Sequence, residues 1–218
     1  GGQSTRPNAI EVGAHEEWTR IKDVLKSILN EIPQAIISVD TFHGEVAERA
    51  LDAGAFMIND VYAGQKDERL IQAISSHNAP LVIMHMQGTP ANMQENPSYI
   101  HASLEIQEWL ALRSKVLREQ GVKQLIIDPG FGFGKTIAHN FQILRDLREL
   151  KKLGLPVLAG LSRKSMIWKA LESSPEDAMN GTTVLNAWAL DRGAHILRVH
   201  DVREALEAIK LFSLLESA

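Results

Sequence analysis

The sequence predicts an α/β fold with a parallel sheet, as a (β/α)8 barrel first and an open doubly wound sheet second. Three observations carry this. Six short aliphatic runs recur along the 218 residues, each separated from the next by a stretch with helical spacing, and strands alternating with helices imply parallel pairing. The runs are unbroken, as in Leu125, Ile126 and Ile127, which marks strands buried on both faces. Each run ends in polar residues: Asp40, Asn59, His85, Asp128, the Ser162-Arg163-Lys164 trio, and Arg198 with His200. A barrel gathers such ends at one mouth, whereas an open sheet collects only those near its switch point.

The elements follow in order. GGQSTRP has the composition of a loop, with no element before it. From about His15 to Asn30, Trp18, Ile21, Val24, Leu25 and Ile28 recur at helical spacing, and Ala35 to Val39 reads as a buried strand ending in Asp40. A helix through Val46, Ala50 and Leu51 closes at Gly54, a residue suited to a C-cap, and Phe56 to Ile58 forms a strand ending in Asn59 and Asp60. Leu70, Ile71 and Ile74 mark the next helix, Leu81 to Met84 the next strand, and a long helix from about Ile100 to Gln120 follows the MQGTP loop.

Leu125 to Ile127 then runs into Asp128, Pro129, Gly130, Gly132 and Gly134. These residues neither extend a strand nor start a helix well, so Phe131 and Phe133 are expected on display in a loop, where their rings would cover something flat. A helix through Phe141, Leu144 and Leu147 to Gly154 leads to a strand at Val157, Leu158 and Ala159. In LSRKSM, Ser162 is expected to cap a helix beginning at Arg163, whose amide end would favour a carboxylate. Lys164 in that first turn would oppose the helix dipole, which suggests a functional placement. A helix from Ala178 to Arg192, a strand from Ile196 to Val199 ending at His200, and a helix from Val202 to Leu215 complete the chain. Six strands fall short of a closed barrel, whose usual length is about 250 residues. The expectation is therefore a single barrel domain over residues 1–218 that lacks its first two βα elements.

Composition narrows the function classes. With 44% hydrophobic and 23% charged residues, the chain can bury a sizeable core. A net charge of -4 without a basic run argues against general nucleic-acid binding. Zero cysteines exclude disulfides and thiolate metal sites, in keeping with a reducing cytoplasm. No apolar run approaches the roughly 20 residues of a membrane span, and no secretory signal pattern is visible.

Three groups carry candidate chemistry. Asp40, Asn59 and Asp128 end strands with short oxygen-bearing side chains that suit the N–H edges of a flat heterocycle, although any one alone would more often be a cap or turn former. Arg6, Arg198 and His200, joined by Ser4 and Thr5, suit phosphate oxygens, with a pairing of Arg198 to a carboxylate as the plainer alternative. Lys164 adds a cation. Gly134-Lys135-Thr136 has the ending of a phosphate-cradling P-loop, but the residue five before Gly134 is Pro129, which has no N–H. His85 lacks the second histidine of a His-x-His metal pair.

Taken together, nearly the whole chain resembles the dihydropteroate synthases of the folate pathway. GGQSTRP is similar to the family's second loop, and ISVDT, FMIND, LVIMHMQGTP, DPGFGFGKT, LSRKSM and LRVHD match its successive strand ends in order. The resemblance implies a (β/α)8 barrel that joins a dihydropterin diphosphate to p-aminobenzoate through a pterin cation, releasing pyrophosphate. It implies pterin contacts for Asp40, Asn59, Met84, Asp128, Phe133 and Lys164, with Lys164, Asp40 and Asp128 as the catalytic set. It implies pyrophosphate contacts for Arg6, Arg198 and His200, and p-aminobenzoate contacts for Thr5, Pro7, Phe131 and Ser162. Sulfonamides would compete for that last pocket. Magnesium is the implied cofactor, its asparagine ligand lying in a first loop that nothing in this sequence matches. A homodimer is expected, with Trp168, Trp188 and Phe212 as candidate apolar face. Related possibilities are a pterin-binding methyltransferase and a pterin-binding domain without catalysis.

Overall fold

A computed structural model describes residues 11–90 and 92–218. Thr5, Arg6 and Pro7, expected at the site, lie outside the described residues, as does Ser4. The elements run α1 (Ala14–Glu31), β1 (Ser38–Asp40), α2 (Gly44–Asp52), β2 (Met57–Asp60), α3 (Glu68–His77), β3 (Leu81–Met84), α4 (Ala102–Glu119) and β4 (Leu125–Asp128). They continue with α5 (Ile137–Arg145), a 3-10 helix (Leu147–Leu153), β5 (Leu158–Ala159), α6 (Ser165–Trp168), α7 (Met179–Asp191), β6 (Ile196–Leu197) and α8 (Val202–Glu216). Among the described residues no helix is long and apolar enough to cross a membrane.

Strand order decides between the two architectures. β1, β2, β3 and β4 lie in sequence order in one sheet and β5 pairs with β6, with parallel ladders from β1 to β2, from β2 to β3 and from β5 to β6. Ile127 of β4 also bridges Val157, just before β5, in parallel. A doubly wound sheet reverses its strand order at the switch point, and no reversal occurs among the described strands.

The described residues form two compact units. The first comprises the described part of Gly1–His85 with Leu110–Ile126. Its core is built from Val46, Ala47 and Ala50 of α2, Ile58 of β2, Leu70 and Ile74 of α3, and Leu81 and Ile83 of β3. α2 and α3 approach closely because residue 44 has no side chain: a Cβ on Gly44 would lie 2.5 Å from Cβ of Arg69. Asp67 serves both helices, accepting from Arg69 N as the cap of α3 and from Gly44 N at 2.8 Å.

β1 departs from expectation. It is only three residues long, and Ile36, placed by the sequence inside a buried strand, is 73% exposed. The aliphatic run promised burial on both faces, but burial needs neighbours, and among the described strands β1 pairs only with β2.

The second unit is Met86–Trp109 with Ile127–Ala218. Ile127, Phe131, Leu147, Val157, Ala159, Leu161 and Met166 are among its buried residues, and α7 packs on α8. The helix expected to run through Leu147 stops at Arg145, where Asp146 (φ -97, ψ 11) leaves helical geometry, and its carboxylate is held by Arg145 and by Ser103 Oγ at 2.9 Å. A 3-10 turn completes the path to Gly154, which takes the left-handed conformation.

Candidate active site

In the first unit, strand register assembles the polar end. Asp40 lies opposite Asn59 across β1 and β2, and Asn59 lies opposite Val82 across β2 and β3. Side chains alternate along a strand, so Met84, two residues beyond Val82, shares the face of Asp40 and Asn59. Asn59 Nδ2 donates to Asp40 Oδ1 at 2.8 Å. Asp60 points to the opposite face and is spent on the backbone: its two oxygens accept from Tyr62 N at 2.8 Å and Gly64 N at 2.6 Å. Arg113 Nε donates to Ala63 O at 2.7 Å, closing the same turn. Burial pushes the Asp60 carboxyl up to about 6, against the pull of those amides and of the Arg113 charge. Asn59 is thus turned to the face of Asp40 and Met84, and Asp60 shapes the turn that follows β2.

In the second unit, Asp128 ends β4 at 2% exposure, and its Oδ1 accepts from Gly130 N at 2.7 Å. Burial raises its pKa, opposed by Arg198 first, then by the Gly130 amide, Lys164 and Lys135. Lys164 sits with Nζ 4.2 Å from the centre of the Phe133 ring, a cation–π contact. Its stem crosses Gly132, where an added Cβ would lie 3.1 Å from Lys164 Cδ. Burial and the neighbouring Arg198 bring the Lys164 amine down to about 8, with Asp128 working against them.

Arg198, the residue after β6, lies across the backbone of Gly160: a Cβ there would stand 3.1 Å from a terminal guanidinium nitrogen. Asp128, Lys164 and Arg198, expected from three different strand ends, therefore form one electrostatic cluster. Phe131 and Phe133 are not on display as the sequence suggested; they are 1% and 5% exposed. Three successive backbone groups of their loop are tied inward, Gly132 N to Asn140 Oδ1, Phe133 O to Lys135 Nζ, and Gly134 O to Tyr99 Oη.

The LSRKSM segment also corrects the sequence reading. Arg163 has φ 54, so no helix begins there; α6 starts at Ser165, and Lys164 occupies its N-cap position. The left-handed turn is held by Arg163 N donating to Thr182 Oγ1 at 3.1 Å and by a two-bond pairing of the Arg163 guanidinium with Asp201. Ser162 is buried, and its hydroxyl caps nothing. Its Oγ accepts from His200 N at 3.2 Å and lies 2.8 Å from His200 Nδ1. With no helix starting at Arg163, that position offers no helical amide end to a carboxylate.

Sequence reasoning missed Lys135. It is buried, donates from Nζ to Phe133 O at 2.8 Å, and is brought down to about 7 by burial, with Asp128 opposing. No local signal marked it, because the box that caps α5 closes with His139 where a glutamate or glutamine is usual, and a lysine before an N-cap ordinarily stays in water. His85 is buried, and among the described residues no group of three or more His, Asp or Glu is placed to hold a metal ion.

A family model described as pterin binding enzyme matches residues 1–200. Dihydropteroate synthase of Escherichia coli strain K12 is 38% identical over 213 residues, covering 97% of this chain and 75% of that protein. The chain belongs to the dihydropteroate synthase family of pterin-binding enzymes. Among solved structures, the dihydropteroate synthase of Yersinia pestis in complex with a sulfonamide drug matches with a TM-score of 0.95 at 37% identity, over 100% of this chain and 79% of that one. The dihydropteroate synthase of Xanthomonas albilineans with 4-aminobenzoic acid matches with a TM-score of 0.92 at 38% identity, over 100% and 78%. The fold class is the α/β (β/α)8 barrel of the dihydropteroate synthases, and the sequential parallel strand order agrees with it.

Proposed function

We propose that this protein condenses (7,8-dihydropterin-6-yl)methyl diphosphate with p-aminobenzoate to give 7,8-dihydropteroate and pyrophosphate, in folate biosynthesis. The observation that carries the proposal is a buried carboxylate, Asp128, in the joint field of Lys164 and Arg198. Such a trio accepts ring N–H groups on one side and stabilises negative charge on the other, which is what a heterocycle losing a diphosphate requires.

In this reading the C–O bond to the diphosphate breaks first and its electron pair leaves with the pyrophosphate. The methylene cation is delocalised into the pterin, the aniline nitrogen attacks that carbon, and its proton passes to water. Asp40, Asn59, Met84, Asp128, Phe133 and Lys164 are assigned to the pterin, as the family resemblance implies. Lys164, Asp40 and Asp128 act catalytically, the carboxylates by stabilising the cation. Arg198 and His200, with Arg6, are assigned to the pyrophosphate. Thr5 and Pro7 are assigned to p-aminobenzoate; Phe131 and Ser162, both buried, would serve that side by shaping it from within. Magnesium, the cofactor that the resemblance implies, belongs to the proposal, and no step is routed through it.

The whole chain is proposed to act as one barrel domain and as a homodimer. Trp188, 47% exposed on α7, is the strongest of the three expected interface residues, while Trp168 and Phe212 are half-buried. Mixing the protein with the pterin diphosphate, p-aminobenzoate and magnesium should release pyrophosphate, and sulfonamides should compete with p-aminobenzoate. Tight pterin binding without release would point to a non-catalytic binder. Methyltetrahydrofolate binding without affinity for pyrophosphate would point to a methyltransferase.

A further inference from the structure

The β5–β6 register does not stop where the strands stop. Leu158 pairs with Ile196 and Ala159 with Leu197, and the same separation of 38 residues recurs in the side-chain bonds Ser162 to His200 and Arg163 to Asp201. The loops after β5 and β6 are thus braced by two adjacent polar pairs, with Arg163 N further tied to Thr182 Oγ1. His200 takes its orientation from this brace.

The bond pattern assigns protons as well as positions. A serine hydroxyl has one proton and two lone pairs. Oγ of Ser162 already accepts the backbone N–H of His200, and its one remaining partner among the described residues is Nδ1 of the same histidine. Ser162 is buried, so its proton is directed to Nδ1, which must then carry the lone pair. In the neutral ring the proton is left on Nε2. Phosphate oxygens accept hydrogen bonds, and an imidazole with a bare Nε2 would present a lone pair to another lone pair.

We propose that Ser162 is a positioning residue: its hydroxyl locks His200 in the Nε2–H tautomer and ring orientation, so the imidazole meets a diphosphate oxygen as a donor. The functional half rests on the assignment of His200 to pyrophosphate; the tautomer half does not.

The test uses the whole protein labelled with 15N-histidine, at alkaline pH where imidazole is neutral, with inorganic pyrophosphate as ligand. In the wild type, Nδ1 of His200 should resonate as a pyridine-type nitrogen and Nε2 as a pyrrole-type one. Ser162→Ala should move both toward a tautomer average and weaken pyrophosphate binding about threefold, the loss of one ordinary hydrogen bond. Ser162→Thr should restore both. A protonated Nδ1 in the wild type, or nitrogen shifts unmoved in Ser162→Ala, would overturn the proposal. Unchanged pyrophosphate affinity in His200→Ala would overturn the assignment of His200 to pyrophosphate, and is a separate result from either of these.

Discussion

Replacing Asp60 by Asn should abolish a pH dependence of stability that the protein owes to one carboxyl group. Asp60 is 1% exposed, and its pKa rises from 3.8 to about 6 because burial outweighs the amides of Gly64 and Tyr62 and the charge of Arg113. Between the unfolded and folded values the folded protein binds more protons than the unfolded chain, so stability falls as pH rises through that window. Below it both states are protonated and the penalty vanishes; above it the buried ion costs its full amount. A shift of about 2 units at about 1.4 kcal/mol each gives roughly 3 kcal/mol. Asn carries no charge and retains one acceptor oxygen, so it loses one of the two backbone bonds at every pH, a constant offset of about 1 kcal/mol. Urea unfolding of both proteins from about pH 4 to about pH 8 measures the difference, in which the other carboxyls cancel. The wild type should lose roughly 3 kcal/mol relative to Asp60→Asn across that range. A difference that is flat with pH, or that slopes the other way, would refute the placement of an ionised Asp60 beneath its turn.

Three further substitutions probe the second unit. Lys164→Met should lower kcat/KM about 100-fold, the usual scale for one preorganised charge, and should erase an alkaline decline beginning near the Lys164 value of about 8, read from pH–rate profiles. Gly160→Ala should leave the melting temperature nearly unchanged but push aside the Arg198 guanidinium, now 3.1 Å from where the methyl would stand; calorimetry should show pyrophosphate binding weakened about tenfold. Lys135→Met should stabilise the protein, because the folded state sheds a proton between about 7 and the ordinary 10.5 and wild-type stability therefore rises with pH there. The advantage, on the order of 4 kcal/mol at neutral pH, should shrink toward pH 10; an advantage that stays constant would show that the amine is not the cause.

The alternation of elements was legible in the chain because it is written locally. An unbroken run such as Leu81–Met84 needs only its own residues to announce a buried strand, and the spacing of Leu70, Ile71 and Ile74 needs only one helix. The strand-end groups followed for the same reason, since a residue placed after a strand in a parallel sheet must emerge at that strand's carboxyl end. Asp128 and Arg198 stand out on that ground, Lys164 also by its opposition to a helix dipole, and the family resemblance supplies their roles. Where sequence reasoning failed, the deciding partner lay far along the chain. Ser162 looked like a helix cap because serine before a basic residue commonly is one, yet Thr182 and Asp201 hold Arg163 out of the helix.

Local composition fixed which segments became strands and helices and which side chains stood at their ends. Folding alone decided what those side chains met: whether Asp60 faced a ligand or its own turn, whether Phe131 lay open or inside, and whether Lys135 reached water. The reason is register. A propensity belongs to a short stretch of chain, whereas a carboxylate's burial or a hydroxyl's partner is set by which residue the folded chain brings alongside, for Ser162 a histidine 38 positions away.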